Sequence, residues 1–406
     1  METHLPDAFR ATPEGQEAEA ILRACVHCGF CTATCPTYRL TGDEDDGPRG
    51  RIYLMKHALE QGRAGRATLE HLDRCLACRA CETTCPSGVR YHRLLEITRP
   101  RLRRRLPDPL PRRWLRHALL HLLPERRRAA LIFRLARRLR ILLPRHLADH
   151  LPQAAARSRP PSQRRPRRVL LFQGCVEPTA MAAAHAATVH LLNHLGLQVD
   201  TLSDEGCCGA LEHHLGASAR ARKRARTNLA LWQDWLDGGG EAIVVLSSAC
   251  LLQIREYPQL LSEDPHWSGI AEHMNRHVWE LGQFLEQHEL LPEAVPDSRP
   301  ALSWHPPCTL QHGLGEHDTH PRLLRRLGHP VHLPTDAELC CGAAGSYTLL
   351  QAQLSRALGT RKRAALSALG NDTVVTANVG CLLQLQSKDG PRVRHWVEIV
   401  AEDLLG

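Results

Sequence analysis

The sequence predicts an α+β multidomain protein, with a small α-helical cysteine-rich domain at the N-terminus followed by two tandem α/β domains. Three observations carry this. Eight of the 16 cysteines form two copies of the pattern C-x2-C-x2-C-x3-C-P within residues 25–86. The other eight fall in a later repeat whose copies each contain the triplet Cys-Cys-Gly (CCG). Between the two sets runs a segment from Arg99 to Arg168 with 22 arginines, no lysine and three acids.

The first motif is Cys25, Cys28, Cys31 and Cys35 followed by Pro36, and the second is Cys75, Cys78, Cys81 and Cys85 followed by Pro86. Bacterial-type ferredoxins use this spacing to hold cubane [4Fe–4S] clusters by four thiolates each. Two-residue spacers let three thiolates of one tight loop face three corners of a cube. The fourth cysteine, stiffened by the proline after it, faces away toward the other cluster. The expected sets are therefore Cys25, Cys28, Cys31 and Cys85 for one cluster, and Cys35, Cys75, Cys78 and Cys81 for the other. Gly29 is expected to let the backbone approach the first cluster closely. Zinc sites instead place ligand pairs far apart, and cytosolic thiols stay reduced, so zinc and disulfides are the weaker readings. The 39 residues between Cys35 and Cys75 exceed what a compact bacterial ferredoxin holds, so residues 15–98 are expected to form a helical, ferredoxin-like domain.

The net charge of +9 comes from the arginine-rich segment alone; the remainder has 30 basic and 40 acidic residues. Residues 99–166 read as a helical linker, cut by Pro107, Pro109, Pro111, Pro124, Pro144 and Pro152. One piece, Ala129 to Leu143, gathers Leu131, Ile132, Leu135, Leu139, Leu142 and Leu143 on one side and Arg134, Arg137, Arg138 and Arg140 largely on the other. A second runs from Trp114 to Leu123. Helices of this kind either pack the apolar stripe on a neighbour or lie on an anionic membrane surface; nucleic-acid binding is not expected. Arg157 to Arg168 reads as an extended tether. The N-terminus does not resemble a signal peptide, and no run of 18 apolar residues occurs. The expected location is cytoplasmic, with the linker helices as candidates for peripheral contact with the inner face of the cell membrane.

The later repeat occupies 167–298 and 299–406. Its cysteines are Cys175, Cys207, Cys208 and Cys250 in the first copy, and Cys308, Cys340, Cys341 and Cys381 in the second. The first interval holds 31 residues in both copies, and the second holds 41 and 39, the mark of duplication. Strands are expected at Val169–Phe172, Gln198–Asp200, Ala242–Leu246, Leu302–Trp304 and Thr373–Thr376, with helices over about 179–195 and up to Trp235. The outer cysteines then lie just beyond the carboxyl ends of strands, where open α/β sheets bind ligands. Each doublet needs a tight turn, for which Gly209 and Gly342 supply the freedom. These eight thiols are candidates for a further iron–sulfur cluster, against the plainer reading of small buried hydrophobes.

This arrangement resembles the family of glycolate oxidase iron–sulfur subunits. The resemblance rests on residues 21–38 around the first motif, the run Asp46-Gly47-Pro48-Arg49-Gly50-Arg51-Ile52-Tyr53-Leu54, residues 81–92, Thr376 to Cys381 and Val393 to Glu398. It covers nearly the whole chain and is weakest in the linker. The resemblance implies that glycolate is oxidised on FAD-containing subunits carried by other chains, and that this chain passes the electrons through two [4Fe–4S] clusters toward a quinone. The sequence fits: no Gly-x-Gly-x-x-Gly fingerprint lies between a strand and a helix, so neither flavin nor NAD is expected here. No catalytic residue is expected on this chain.

The alternatives are a lactate or glycerol-3-phosphate dehydrogenase iron–sulfur subunit, or a reductase like heterodisulfide reductase. In that last group the final cysteine belongs to a C-x-x-C pair; here Gln253 and Gln384 stand at the second position. Among single residues, His213, His214, His305, His312 and His395 are candidate ligands or proton relays, more often plain polar residues. Arg49 and Arg51 are expected to form salt bridges near the first loop, and Asp43, Glu44, Asp45 and Asp46 a solvated loop.

Overall fold

The structure, a computed structural model, describes residues 1–142, 151, 164–293, 295, 298–387 and 390–406. The chain forms two compact units: Met1–His117 with Gln311–Gly315 and Glu338–Lys362, and Ala118–Leu310 with Glu316–Ala337 and Arg363–Gly406.

The first unit has no strand among its described residues. Helices Pro13–Ala24, Pro48–Gln61, Arg66–Asp73 and Tyr91–Arg105 bury Leu22, Ile52, Met55, Leu72, Leu94 and Leu95 against one another. Their ends follow from local chemistry. Pro13 and Pro48 occupy first-turn positions that need no N–H donor. The Thr12 side chain accepts from the Gly15 N–H at 3.0 Å, and Gly62 closes helix 48–61 in the left-handed region.

The second unit contains two four-stranded parallel sheets. In chain order the strands are β1 (Arg167–Leu171), β2 (Leu197–Asp200), β3 (Ala242–Val245), β4 (Val278–Glu280), β5 (Leu302–Trp304), β6 (Val331–His332), β7 (Thr373–Thr376) and β8 (Arg392–His395). The orders β2-β1-β3-β4 and β6-β5-β7-β8 are the same topology twice. The order reverses between β1 and β3, and between β5 and β7, which opens a crevice at those carboxyl ends. Strand β3 is buried throughout, as a parallel strand covered on both faces must be. The carboxyl ends of the two sheets are bonded together. Ser248 N–H donates to Ala377 O at 3.1 Å, Asn378 Nδ2 to Ser248 Oγ at 3.1 Å, and the Ser248 and Thr309 hydroxyls meet at 2.6 Å.

Strands β5 and β7 match their expected spans, whereas the helix expected over 179–195 breaks at Met181 into Glu177–Ala180 and Ala182–His194. Strands β4 and β8 were not anticipated, and β6 was expected only as the repeat of β2, without a span. They are two to four residues long, and β8 reads Arg-Val-Arg-His, too short and polar to signal a buried strand.

The linker departs further from expectation. Its helices are Leu110–Leu122 and Arg126–Arg138. The second buries Ala129, while Leu131, Leu135 and Leu139 face outward. It is held instead by Arg126, which donates to Gly174 O, Gln173 Oε1 and Glu205 O at 3.2, 2.5 and 3.0 Å. In the first unit, Arg103, Arg112 and Arg116 converge on the buried carboxylate of Asp73. Leu143, Pro144, Pro152 and residues 157–163 of the expected tether lie outside the described residues.

His395 ends β8 and caps the last helix. Its Nδ1 accepts from Val397 N–H at 3.4 Å, leaving Nε2 to donate to Leu246 O at 3.3 Å. Complete burial holds its pKa down at about 3, so the folded state refuses a proton that the unfolded chain accepts below about 6.5. Its stabilising neutrality is present above pH 6.5 and is lost as pH falls toward 3, at up to about 1.4 kcal/mol per pH unit. Urea unfolding at pH 7.5 and 5.5 should show this loss. His395→Asn, which keeps an N-cap, should abolish His395's share of the difference.

Candidate metal centres

The two cysteine loops of the first unit share one backbone path. His27 and Gly29 have φ of 57° and 86°, and Ala77 and Arg79, at the same places in the second loop, have 54° and 63°. Two left-handed residues turn each chain tightly around its three thiols. Gly29 adopts this freely, but non-glycine residues there cost about 1–2 kcal/mol each. One-turn helices Phe30–Ala33 and Ala80–Thr83 then carry Cys31 and Cys81. Cys35 follows as the N-cap of helix Pro36–Thr41, which sets its direction. The hydroxyls of Thr34 and Thr84, each preceding a last cysteine, meet at 2.9 Å and both donate to Ala80 O.

Two cavities result. One, partly open to solvent, is lined by Cys25, Cys28 and Cys31 of the first loop and by Cys81 and Cys85 of the second. The other is lined by Cys75, Cys78 and Cys81 of the second loop and by Cys35 of the first. Pro48, Cys81 and Tyr91 border both. Burial, with neighbouring thiols, pushes the Cys31 thiol up to about 11 and raises Cys25 and Cys81 as well. Thiols so crowded stay protonated unless a cationic centre takes them, and a coordinated thiol loses its proton outright. Each donor set, four convergent thiols in a cavity, fits a [4Fe–4S] cubane.

The two cavities differ in their charges. Beside the first, Cys28 is exposed, Val26 and Phe30 stand out into solvent, and Arg49 pairs with Glu44 at 2.6 Å. Beside the second, the Arg51 guanidinium is fully buried. Burial disfavours its charge, but Tyr91, Cys75, Cys35 and Asp46 outweigh that and hold it protonated. It donates to His71 O at 2.8 Å and Thr37 Oγ1 at 3.1 Å, and faces Asp46 at 3.5 Å. Asp46 is therefore no solvated acid, contrary to expectation. It is fully buried and also engages His71 at 2.9 Å and Arg74 at 3.0 Å. Thr37 Oγ1 sits 3.3 Å from Cys35 Sγ, and Ala77 N–H donates to Cys75 Sγ at 3.3 Å.

Two segments of the second CCG copy are built into this unit. Thr83 bonds His312 at 2.9 Å, and the Tyr347 hydroxyl donates to Arg74 O at 2.9 Å. Tyr347 is buried with both Cys75 and Cys340 near enough to raise its hydroxyl pKa further.

In the other unit the first CCG copy brings all four of its thiols together. Cys175 follows β1, Cys250 follows β3, and the doublet Cys207-Cys208 follows β2. Cys175 and Cys207 sulfurs are 3.3 Å apart. Hydrogen bonds from Cys175, Cys208 and the Gly209 N–H pull Cys207 down, while Cys175 and Cys208 are pushed up. Burial and the facing Glu177 push Cys250 up to about 12, against its bond to Cys208. The turn needs its glycine: Gly209 has φ of 87°, and a Cβ there would meet the Ala221 backbone at 3.4 Å. Gly342 repeats the φ of 87°, and its N–H points at Cys340 Sγ at 3.5 Å. Asn228 and Tyr257 bond the carbonyls of Cys207 and Cys208 at 3.1 and 2.8 Å. Of the second copy, Cys308 and Cys381 follow β5 and β7.

Of the candidate histidines, His213 bonds Gln253 at 3.2 Å and stacks with His214, while His312 and His395 have the bonding roles given above. Nothing in the sequence marked Asp46, Glu177 or Glu205 as buried. Burial raises Glu205 to about 7, even though Gln173 N–H and Trp232 Nε1 donate to it.

Paired cysteine loops joined to duplicated CCG domains define a class of iron–sulfur protein. Residues 21–89 match the 4Fe-4S dicluster domain, and residues 169–255 and 302–386 match the cysteine-rich domain family. The chain is 42% identical over 405 residues to the glycolate oxidase iron-sulfur subunit of Escherichia coli (strain K12), covering 100% of this chain and 99% of that protein. It is 31% identical to the probable glycolate oxidase iron-sulfur subunit of Bacillus subtilis (strain 168), covering 91% and 89%. Lactate utilization protein A of Bacillus velezensis is 26% identical over 239 residues, 57% of this chain and 98% of that one. A crystal structure of a hypothetical protein from Helicobacter pylori shares the fold, with a TM-score of 0.61 at 11% identity over 98% of this chain and 73% of that one. The chain belongs to the glycolate oxidase iron–sulfur subunit family.

The Asp46 network makes its own prediction. Asp46→Ala leaves Arg51 buried beside an uncompensated Arg74. Denaturant unfolding should register a loss of about 3–5 kcal/mol, the cost of breaking a buried pair from one side.

Proposed function

We propose that this chain is the electron-transfer subunit of a flavin-dependent glycolate dehydrogenase, with substrate oxidation on partner chains. The carrying observation is the pair of adjoining cavities, one lined by Cys25, Cys28, Cys31, Cys81 and Cys85 and the other by Cys35, Cys75, Cys78 and Cys81, in a chain 42% identical to a glycolate oxidase subunit. The division into residues 15–98, 99–166, 167–298 and 299–406 is part of this reading. Cys25, Cys28, Cys31 and Cys85 would hold one [4Fe–4S] cluster, and Cys35, Cys75, Cys78 and Cys81 the other. When bound, such clusters supply one-electron steps between a two-electron flavin and a quinone. The CCG thiols would hold at least one further cluster.

The residues around each cavity suggest a direction. Exposed Cys28, Val26 and Phe30 leave the first loop open to a donor subunit. The buried Arg51 cation beside Cys35 and Cys75 favours the more reduced state of whatever cluster they hold, because added negative charge is stabilised there. Outward Leu131, Leu135 and Leu139, among exposed arginines, suit peripheral contact with an anionic membrane.

Adding glycolate to the chain co-purified anaerobically with its partners should produce reduced-cluster EPR signals, which glycerol-3-phosphate should not. Signals with D-lactate or glycerol-3-phosphate alone would move the chain to a related dehydrogenase. In an EPR redox titration, Arg51→Met should lower one cluster's potential by on the order of 60 mV, a tenfold change in a one-electron equilibrium, and leave the other unchanged.

A further inference from the structure

We infer that Glu177 is a fifth donor to the metal centre of the first CCG domain, beside Cys175, Cys207, Cys208 and Cys250. This rests on the reading that the CCG thiols hold an iron–sulfur cluster. Glu177 lies two residues after Cys175 and opens the turn Glu177–Ala180. It is fully buried, and its carboxylate is met by the Cys250 thiol but by no nitrogen or oxygen donor of the described residues. A buried carboxylate without donors or a cation is strongly disfavoured. The two bases nearby do not meet this need. His185 Nε2 is 3.8 Å away, beyond hydrogen-bond reach, and Arg126 spends its donors on Gly174 O, Gln173 and Glu205 O.

The carboxylate is aimed at the thiols. Gly174, left-handed at φ 58°, keeps the space beside the carboxylate clear: a Cβ there would come within 3.6 Å of Oε1. Four thiols and one carboxylate, with Arg224 the cation felt by Cys207, form a set of five donors that would all be anionic on a metal centre. A single structural ion in a tetrahedral thiolate site takes four donors, so five point to more than one metal, an iron–sulfur cluster with mixed thiolate and carboxylate ligation. The two copies differ at this place. The residue two after Cys308 is Leu310, so the acid belongs to the first copy alone. In that copy the position of a possible further thiol holds Gln253, bonded to His213.

The test uses the full chain, purified anaerobically from cells grown on 57Fe, with iron counts, Mössbauer spectra and melting temperatures for wild type, Glu177→Gln, Glu177→Asp and Cys207→Ser. The expected result is more than eight irons per chain, with a Mössbauer component that Cys207→Ser removes, Glu177→Gln shifts or removes and Glu177→Asp restores. Glu177→Gln should also raise the melting temperature of the iron-free chain and lower that of the loaded chain, because the carboxylate is a liability only without metal. A merely structural acid would move both the same way. A component that Cys207→Ser removes and Glu177→Gln leaves unaltered overturns the role of Glu177 and keeps the cluster. Iron stopping at eight, with no variant changing the spectrum, overturns the CCG cluster and the inference with it. One zinc ion per CCG site in place of iron does so too.

Discussion

The first unit depends on one buried carboxylate. Asp46 lies between the two cysteine loops in sequence and is fully buried, facing Arg51 of helix 48–61 and His71 and Arg74 of the segment entering the second loop. Buried, it demands these partners, and they in turn are positioned by it. Arg51 hands the constraint on, through Thr37 to Cys35 and through the His71 carbonyl to the stretch before Cys75. In the proposed ligation the fourth thiol of each motif must reach the other loop's three, which is a distance problem. The buried ion-pair network solves it by fixing Cys35 and Cys75 to a common framework.

The second unit solves a similar problem with sheets. A doubly used strand order places crevices at two sets of carboxyl ends, and Ser248, Thr309, Ala377 and Asn378 bond those ends to each other. Backbone duplication is close, down to the φ of 87° at Gly209 and Gly342. Side-chain duplication is not. Glu177 has Leu310 as its counterpart, and segments 311–315 and 338–362 of the second copy belong to the first unit. Equal folds thus surround unequal chemistry, as expected where function resides in the site rather than the scaffold.

Much of this was legible in the sequence, for physical reasons. Cysteine spacing sets which thiols one loop can turn inward, so the two tight cysteine loops, and the cavities their thiols line, were legible before any coordinate. Apolar runs such as Ala242–Val245 mark strands buried on both faces. Short or polar strands such as Val331–His332 and Arg392–His395 carry no such signal, because neighbouring strands rather than their own pattern hold them. The run of four acids misled for a related reason. Composition favours solvent, but Asp46 meets the guanidinium groups of Arg51 and Arg74 and the His71 ring, and only the fold reveals that company. The linker was legible only in part. Its leucine stripe left packing on a neighbour and membrane contact both open, and the fold adds that Arg126 anchors the helix while Leu131, Leu135 and Leu139 face out.

The central claim is that each cluster takes three thiolates from one loop and its fourth from the other. EPR of the dithionite-reduced full chain, comparing Cys85→Ser with Cys25→Ser and Cys75→Ser, tests it most directly. The expected result is that Cys85→Ser perturbs the same signal as Cys25→Ser and leaves the signal that Cys75→Ser perturbs. A Cys85→Ser spectrum that instead matches Cys75→Ser, with the first loop's signal intact, would contradict the account.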